Sequence, residues 1–145
     1  MIKMEDTLTN FKIRNGKLIH YTGKAEHLIL PYNITKIEKG VFYDCETIKT
    51  VKFPENLTHI EEEAFLFYTF LKEISLKGNI TYLEDSVFEG CCMLETIKIP
   101  DSILSIGIDV FAGCESLKTV YCKKILLQII IYNMFLYLFL KVLLN

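Results

Sequence analysis

Apolar residues return along this chain every 23 positions. Phe42, Phe65, Phe88 and Phe111 form one such column, and Ile37, Ile60, Leu83 and Ile106 a second. Ile48, Leu71, Leu94 and Leu117 form a third, and Val51, Ile74, Ile97 and Val120 a fourth. A fixed period of this length predicts a solenoid. One coil is too small to bury its own apolar face, so successive coils stack and their equivalent side chains merge into one core. The expected coils run from Leu28 to Thr50, Val51 to Glu73, Ile74 to Thr96 and Ile97 to Thr119.

Within a coil the pattern changes period. Each opens on a short alternating stretch (LIL, VKF, ISL, IKI), which reads as a strand with two side chains inward and one outward. Pro31, Pro54 and Pro100 come next in three of the coils. Proline cannot donate to a ladder, so it ends the strand and turns the chain out of the sheet. The third coil has Lys77-Gly78 instead, where glycine supplies the bend. An apolar-x-x-apolar step follows: Ile34 with Ile37, Leu57 with Ile60, Ile80 with Leu83, Ile103 with Ile106. The phenylalanine then lies in EKGVFYDC, EEEAFLFY, EDSVFEGC or GIDVFAGC, with acids at the front of three of these. Leading acids predict a helix N-terminus, and Gly90 and Gly113 can close a short helix at positive φ. The predicted coil is therefore strand, bend, extended step, short helix and return.

The ends depart from the period. In FKIRNGKLIHY, residues 11 to 21, Asn15-Gly16 lies between two alternating arms, the strongest short signal for a hairpin. A two-residue loop pairs Ile13 with Leu18 and Phe11 with His20, and the hairpin would cap the open edge of the first coil. At the other end, Ile125 to Leu140 contains no charged residue. A transmembrane tail is one reading, since about 20 apolar residues span a bilayer, with Lys123-Lys124 on the inner flank and Lys141 snorkelling. A degenerate fifth coil capping the fourth, with Leu126, Ile129, Met134 and Leu140 in register, is another, and a truncated or shifted end is a third. The expected divisions are an N-terminal arm and hairpin over 1–27, the solenoid over 28–122 and an apolar tail over 123–145.

The fourth coil, I-x-I-P-x-x-I-x-x-I-x-x-x-V-F-x-G-C-x-x-L-x-x, resembles the BspA-type class of leucine-rich repeats found in bacterial and protist surface proteins, and the third matches it from Ile80 onward. The resemblance covers about residues 11 to 122, including F-x-I-x-x-G-x-L-x-x-Y-x-G from Phe11 to Gly23. Departures are Lys77 for proline, Tyr68 for cysteine, and Glu38, Glu61 and Glu84 where Gly107 keeps a glycine. The resemblance implies an α/β leucine-rich-repeat solenoid of four 23-residue coils, each a short parallel strand and a short helix, between a β-hairpin cap and an apolar C-terminal helix. It also implies adhesion to host matrix proteins or other cells.

Composition narrows the chemistry. A net charge of −2 gives no basic surface for phosphates, which argues against nucleic acid as the main partner. The start, MIKMEDTLTN, lacks the apolar run of a secretory signal. The expected location is therefore membrane-associated through residues 125–145 or cytoplasmic, and the cell surface if another export route serves. Cys45, Cys91 and Cys114 share one column with Tyr68, the mark of a packing site, while Cys92 and Cys122 lie outside it. Stacking brings Cys91 and Cys114 within disulfide reach, but reduced packing thiols are favoured in a chain without an export signal. His20, His27 and His59 are scattered, and no nucleophile motif or phosphate loop occurs, so neither an enzyme, a metal nor a cofactor is expected. Glu61-Glu62-Glu63 reads as a solvated helix start. Asn33-Ile-Thr, Asn56-Leu-Thr and Asn79-Ile-Thr match the glycosylation pattern and read as turn residues.

What remains is a non-catalytic binding module for another protein, with a membrane-anchored intracellular scaffold as the alternative. Repeat sheets make extended binding surfaces. The outward column Ile29, Lys52, Ser75, Lys98 and Tyr121, flanked by His27, Thr50, Glu73, Thr96 and Thr119, is the candidate, its two lysines and tyrosine suited to an acidic protein segment. Leu66, Phe67 and Phe70 form a second candidate patch, set where other coils carry Glu89, Gly90 or Ser116.

Overall fold

The structure is a computed structural model that describes residues 8–43, 45–77 and 79–144, the side chains of 135–142 and 144 excepted. Its elements in chain order are β1 (Phe11–Arg14), β2 (Lys17–Tyr21), β3 (His27–Ile29), β4 (Lys36–Ile37), β5 (Thr50–Lys52), β6 (His59–Ile60), β7 (Glu73–Ser75), β8 (Tyr82–Leu83), β9 (Thr96–Lys98), β10 (Ser105–Ile106), β11 (Thr119–Tyr121) and α1 (Lys124–Leu144). The odd-numbered strands from β3 to β11 form one parallel five-stranded sheet in coil order. Its register is the sequence period itself: Leu28 faces Val51, Val51 faces Ile74, Ile74 faces Ile97 and Ile97 faces Val120. The extended steps make a second ladder, β2, β4 and β6 in one parallel run and β8 with β10 in another.

Between the two ladders lies the core. Phe42, Phe65, Phe88 and Phe111 are buried and stacked face to face, their ring centroids 4.6, 5.4 and 5.9 Å apart. Phe11 and Tyr21 of the hairpin extend the stack, 5.0 Å from each other and 5.8 Å from Tyr21 to Phe42. Offset parallel rings at this spacing attract beyond the area they bury. The hairpin thus seals the first coil through its own aromatic pair, with β2 parallel to β4. Ile13 faces Leu18 as expected, but Phe11 faces Tyr21 and not His20, because a bulge after Lys12 adds one residue to the pairing.

Where short helices were expected, the phenylalanine segments are hydrogen-bonded turns. The reason is where their backbone donors go. Phe42 N donates to Ala64 O, Phe65 N to Val87 O and Phe88 N to Val110 O, at 3.0–3.1 Å, each across to the following coil. A donor used between coils is lost to the i→i−4 bonds a helix needs. The leading acids serve the same purpose. Glu61 Oε2 accepts from Lys39 N at 2.9 Å, Glu84 Oε2 from Glu62 N at 3.1 Å and Asp85 Oδ1 from Ile108 N at 2.8 Å, so they satisfy turn donors of a neighbouring coil and not a helix start. The turns also enter the left-handed region once per coil at Gly40, Glu63, Ser86 and Asp109, and again at Phe67, Gly90 and Gly113.

The cysteine column packs as expected. Among the described residues the cysteines form no disulfide. Cys91 Sγ donates to Phe65 O at 3.3 Å and Cys114 Sγ to Phe88 O at 3.2 Å. Burial pushes the Cys91 thiol well up and the Cys114 thiol up to about 12, which keeps both protonated and unreactive at neutral pH. Tyr68 fills the same column with a different bond, its hydroxyl accepting from Ile48 N at 2.7 Å. Tyr68→Phe leaves that buried N–H without an acceptor and is expected to lower the unfolding free energy by about 1–3 kcal/mol, read as a lower urea midpoint at unchanged slope.

The tail answers its readings only in part. No helix among the described residues is long and apolar enough to cross a membrane. The first turns of α1 instead lie on the fourth coil. Leu126 and Ile130 are 1% exposed, Met134 packs beside them, and Asn133 Nδ2 donates to Gly107 O at 3.4 Å. The register expected at Ile129 is displaced: that residue is 36% exposed and Ile130 is buried, since a helix buries every fourth residue and not the coil's third. Leu140, Lys141 and Gly78 fall outside the described side chains or residues.

Candidate functional site

Alternation along each three-residue strand sets the geometry of the face. The central residue points into the core, so the two flanking ones point to solvent, and the register lines these up across all five strands. One outward row is Ile29, Lys52, Ser75, Lys98 and Tyr121, and the other is His27, Thr50, Glu73, Thr96 and Thr119, so the residues expected to share a surface do share one. Ile29 and Tyr121, at the two ends, are 62% and 57% exposed. Lys52 and Lys98 are also exposed, whereas Ser75, Thr50, Thr96 and Thr119 are half-buried by their neighbours.

Electrostatics divide the face unevenly. Lys98 Nζ lies 3.6 Å from Glu73 Oε1 and 6.0 Å from the Tyr121 ring centroid, so one ammonium bridges three strands. Lys52 has no ion-pair partner among the described residues. His27 Nδ1 and Thr50 Oγ1 are 2.9 Å apart, and beside them Lys49 donates to Glu26 at 2.7 Å, which holds the Glu26 carboxyl below the usual carboxylate range. The charges on view are thus a lysine unpaired within the face at one side and a neutralised pair at the other.

Two shallow hollows follow the rim where the strands leave the sheet. One, of about 470 Å³, lies among Ile29, Tyr32, Lys52, Phe53, Pro54 and Lys77. The other, of about 590 Å³, lies among Lys98, Ile99, Pro100, Asp101 and Tyr121. Each sets a lysine and a proline beside an exposed tyrosine. The prolines that end the strands therefore also floor the rim. Tyr32, 85% exposed, was missed in reading the sequence. Its signal was there, an aromatic in a column that holds Glu55, Gly78 and Asp101 in the other coils.

The second patch stands apart from the strand face. Phe67 and Phe70 are 60% and 43% exposed and Leu66 is half-buried. The N-terminal hairpin packs on β4 and leaves these rings open. Phe67 holds a φ of +54°, where the next two coils have Gly90 and Gly113 at +72° and +71°. A bulky residue is strained there. Gly90 in turn must stay glycine for space, since a Cβ on it would fall 2.2 Å from Phe67 Cδ1. The Phe67 ring therefore lies over the bare backbone of the following coil. Among the described residues no three His, Cys, Asp or Glu side chains converge as metal ligands.

Comparison with known proteins places this arrangement. The sequence description of the BspA type leucine rich repeat region matches residues 12–140 in six copies. A pneumococcal vaccine antigen, PcpA, is similar in structure, with 26% identity and a TM-score of 0.70 over 76% of this chain and 28% of that one. A leucine rich repeat protein of T. pallidum has 26% identity and a TM-score of 0.60 over 72% of this chain and 47% of its own. A leucine rich cell surface protein of Faecalibacterium prausnitzii has 24% identity and a TM-score of 0.67 over 77% and 37%, which speaks for the fold alone. The chain spans less than half the length of each of these proteins. No curated protein matches the chain.

Proposed function

Because the chain belongs to the BspA-type leucine-rich repeat family, we propose that it is a non-catalytic module that binds an extended, acidic segment of another protein across the face of its five-stranded sheet. The observation that carries this reading is the row Ile29, Lys52, Ser75, Lys98 and Tyr121, which the register aligns across five coils. Coils repeat at strand spacing, about 4.8 Å, so Lys52 and Lys98 stand roughly 10 Å apart. That distance matches about three residues of extended peptide. A ligand with carboxylates at that interval meets both ammonium groups, and the tyrosines at the rim offer flat, rigid contact area. Thr50, Glu73, Thr96 and Thr119 set the register of such a segment through hydrogen bonds. Leu66, Phe67 and Phe70 are a second contact patch, favoured by the strained backbone that holds Phe67 outward. The similarity to a vaccine antigen at 26% identity supports a role at a cell surface, as an adhesin.

The test is capture of partners by the full chain in parallel with a Lys52→Glu, Lys98→Glu variant and a Phe67→Ser, Phe70→Ser variant. Loss of a specific partner in the first variant, with its thermal melt unchanged and its binding salt-sensitive, is the expected result. Equal capture by all three proteins overturns the reading.

A further inference from the structure

The outward row from Ile29 to Tyr121 alternates in charge. Ile29, Ser75 and Tyr121 carry none on β3, β7 and β11, whereas Lys52 and Lys98 are cations on β5 and β9, the strands between them. Coils stack about 4.8 Å apart, so the charge repeats every second coil, at about 9.6 Å. Glu73 sharpens that interval. It is exposed on the same strand as Ser75, so an anion set midway between the two lysines meets a carboxylate.

A flat strand cannot keep this interval. Its side chains on one side recur at about 6.7 Å, and its third residue points away. A polyproline II helix turns once in three residues of about 3.1 Å each, so every third side chain returns to one side after about 9.3 Å. That step stays in phase with two coils along the whole face. β5, β7 and β9 are hydrogen-bonded on both sides, which leaves the face only side chains with which to receive a ligand. The rim hollow at each lysine holds a proline and a nearby exposed tyrosine, Pro54 with Tyr32 and Pro100 with Tyr121, and proline-rich segments dock on surfaces lined by aromatic rings.

On the reading that the strand face takes an acidic segment, we propose that this segment is a polyproline II helix with a carboxylate at every third residue. Its acids meet Lys52 and Lys98, and its pyrrolidine rings pack against the rim tyrosines. Such a helix is stiff before it binds and loses little freedom on docking.

Fluorescence anisotropy of the full chain with labelled peptides tests it. Five repeats of Glu-Pro-Pro are expected to bind at least about tenfold more tightly than five repeats of Glu-Gly-Gly, which keep the acids and lose the stiff helix. The same advantage is expected over five glutamates followed by ten prolines, which keep the composition and lose the interval. Lys52→Ser and Lys98→Ser, both at exposed positions, each weaken binding of the Glu-Pro-Pro peptide while the melt is retained. Equal binding of the three peptides overturns the polyproline helix and leaves the acidic segment standing. Binding of none overturns both.

Discussion

Phe88→Ala lowers the unfolding free energy by about 3–5 kcal/mol, the cost of removing a buried ring whose surroundings cannot collapse. Phe88 lies in the interior of the aromatic stack. It is fully buried, with Phe65 at 5.4 Å on one side and Phe111 at 5.9 Å on the other. Its own backbone N–H is tied to Val110 O at 3.1 Å, so the coil cannot close in to fill the space. The loss therefore combines the transfer of one ring, two ring–ring contacts and an unfilled cavity. Urea denaturation followed by far-UV circular dichroism reads it directly. A fall of less than ~1 kcal/mol would show that the stack does not hold the coils together.

Ile130→Ala at the cap costs about 2–4 kcal/mol, less than the stack because one side of α1 faces solvent and can relax. Its distribution along the chain is the sharper prediction. A solenoid is stabilised coil by coil through nearest neighbours, so loosening its last element weakens the adjacent coil most. Amide hydrogen exchange in β9 and β11 is expected to accelerate well before that in β3 and β5. Uniform acceleration across all five strands would mean that the cap acts on the molecule as a single cooperative body and not on its end.

The period made the solenoid readable in advance because stacking demands equivalence. Columns such as Phe42 to Phe111 repeat for the same reason that their rings touch. The helices did not follow from the same reading. Acids before an apolar pair signal a helix start only if the backbone donors are used locally, and in Phe65 and Phe88 they are used by the next coil. No single coil's sequence carries that information. The bulge that turns Phe11 onto Tyr21 is of the same kind, since it accompanies the contact of the Tyr21 ring with Phe42 of the first coil. For the candidate face, the rows of outward residues were legible from alternation alone. Tyr32 and Lys77 were not, because they reach the rim from turns whose direction the strand pattern does not determine.

The register of the strands has an evolutionary corollary. Since the five parallel strands pair at an offset of 23 residues all along their sheet, removing residues 51–73 as a block would bring two matching surfaces together with the register of that sheet kept. Adding a block of that length would do the same. The molecule is thereby free to change its length, and with it the number of side chains its sheet displays, in whole-coil increments, while a gain or loss of one or two residues inside a coil would put every later column out of line.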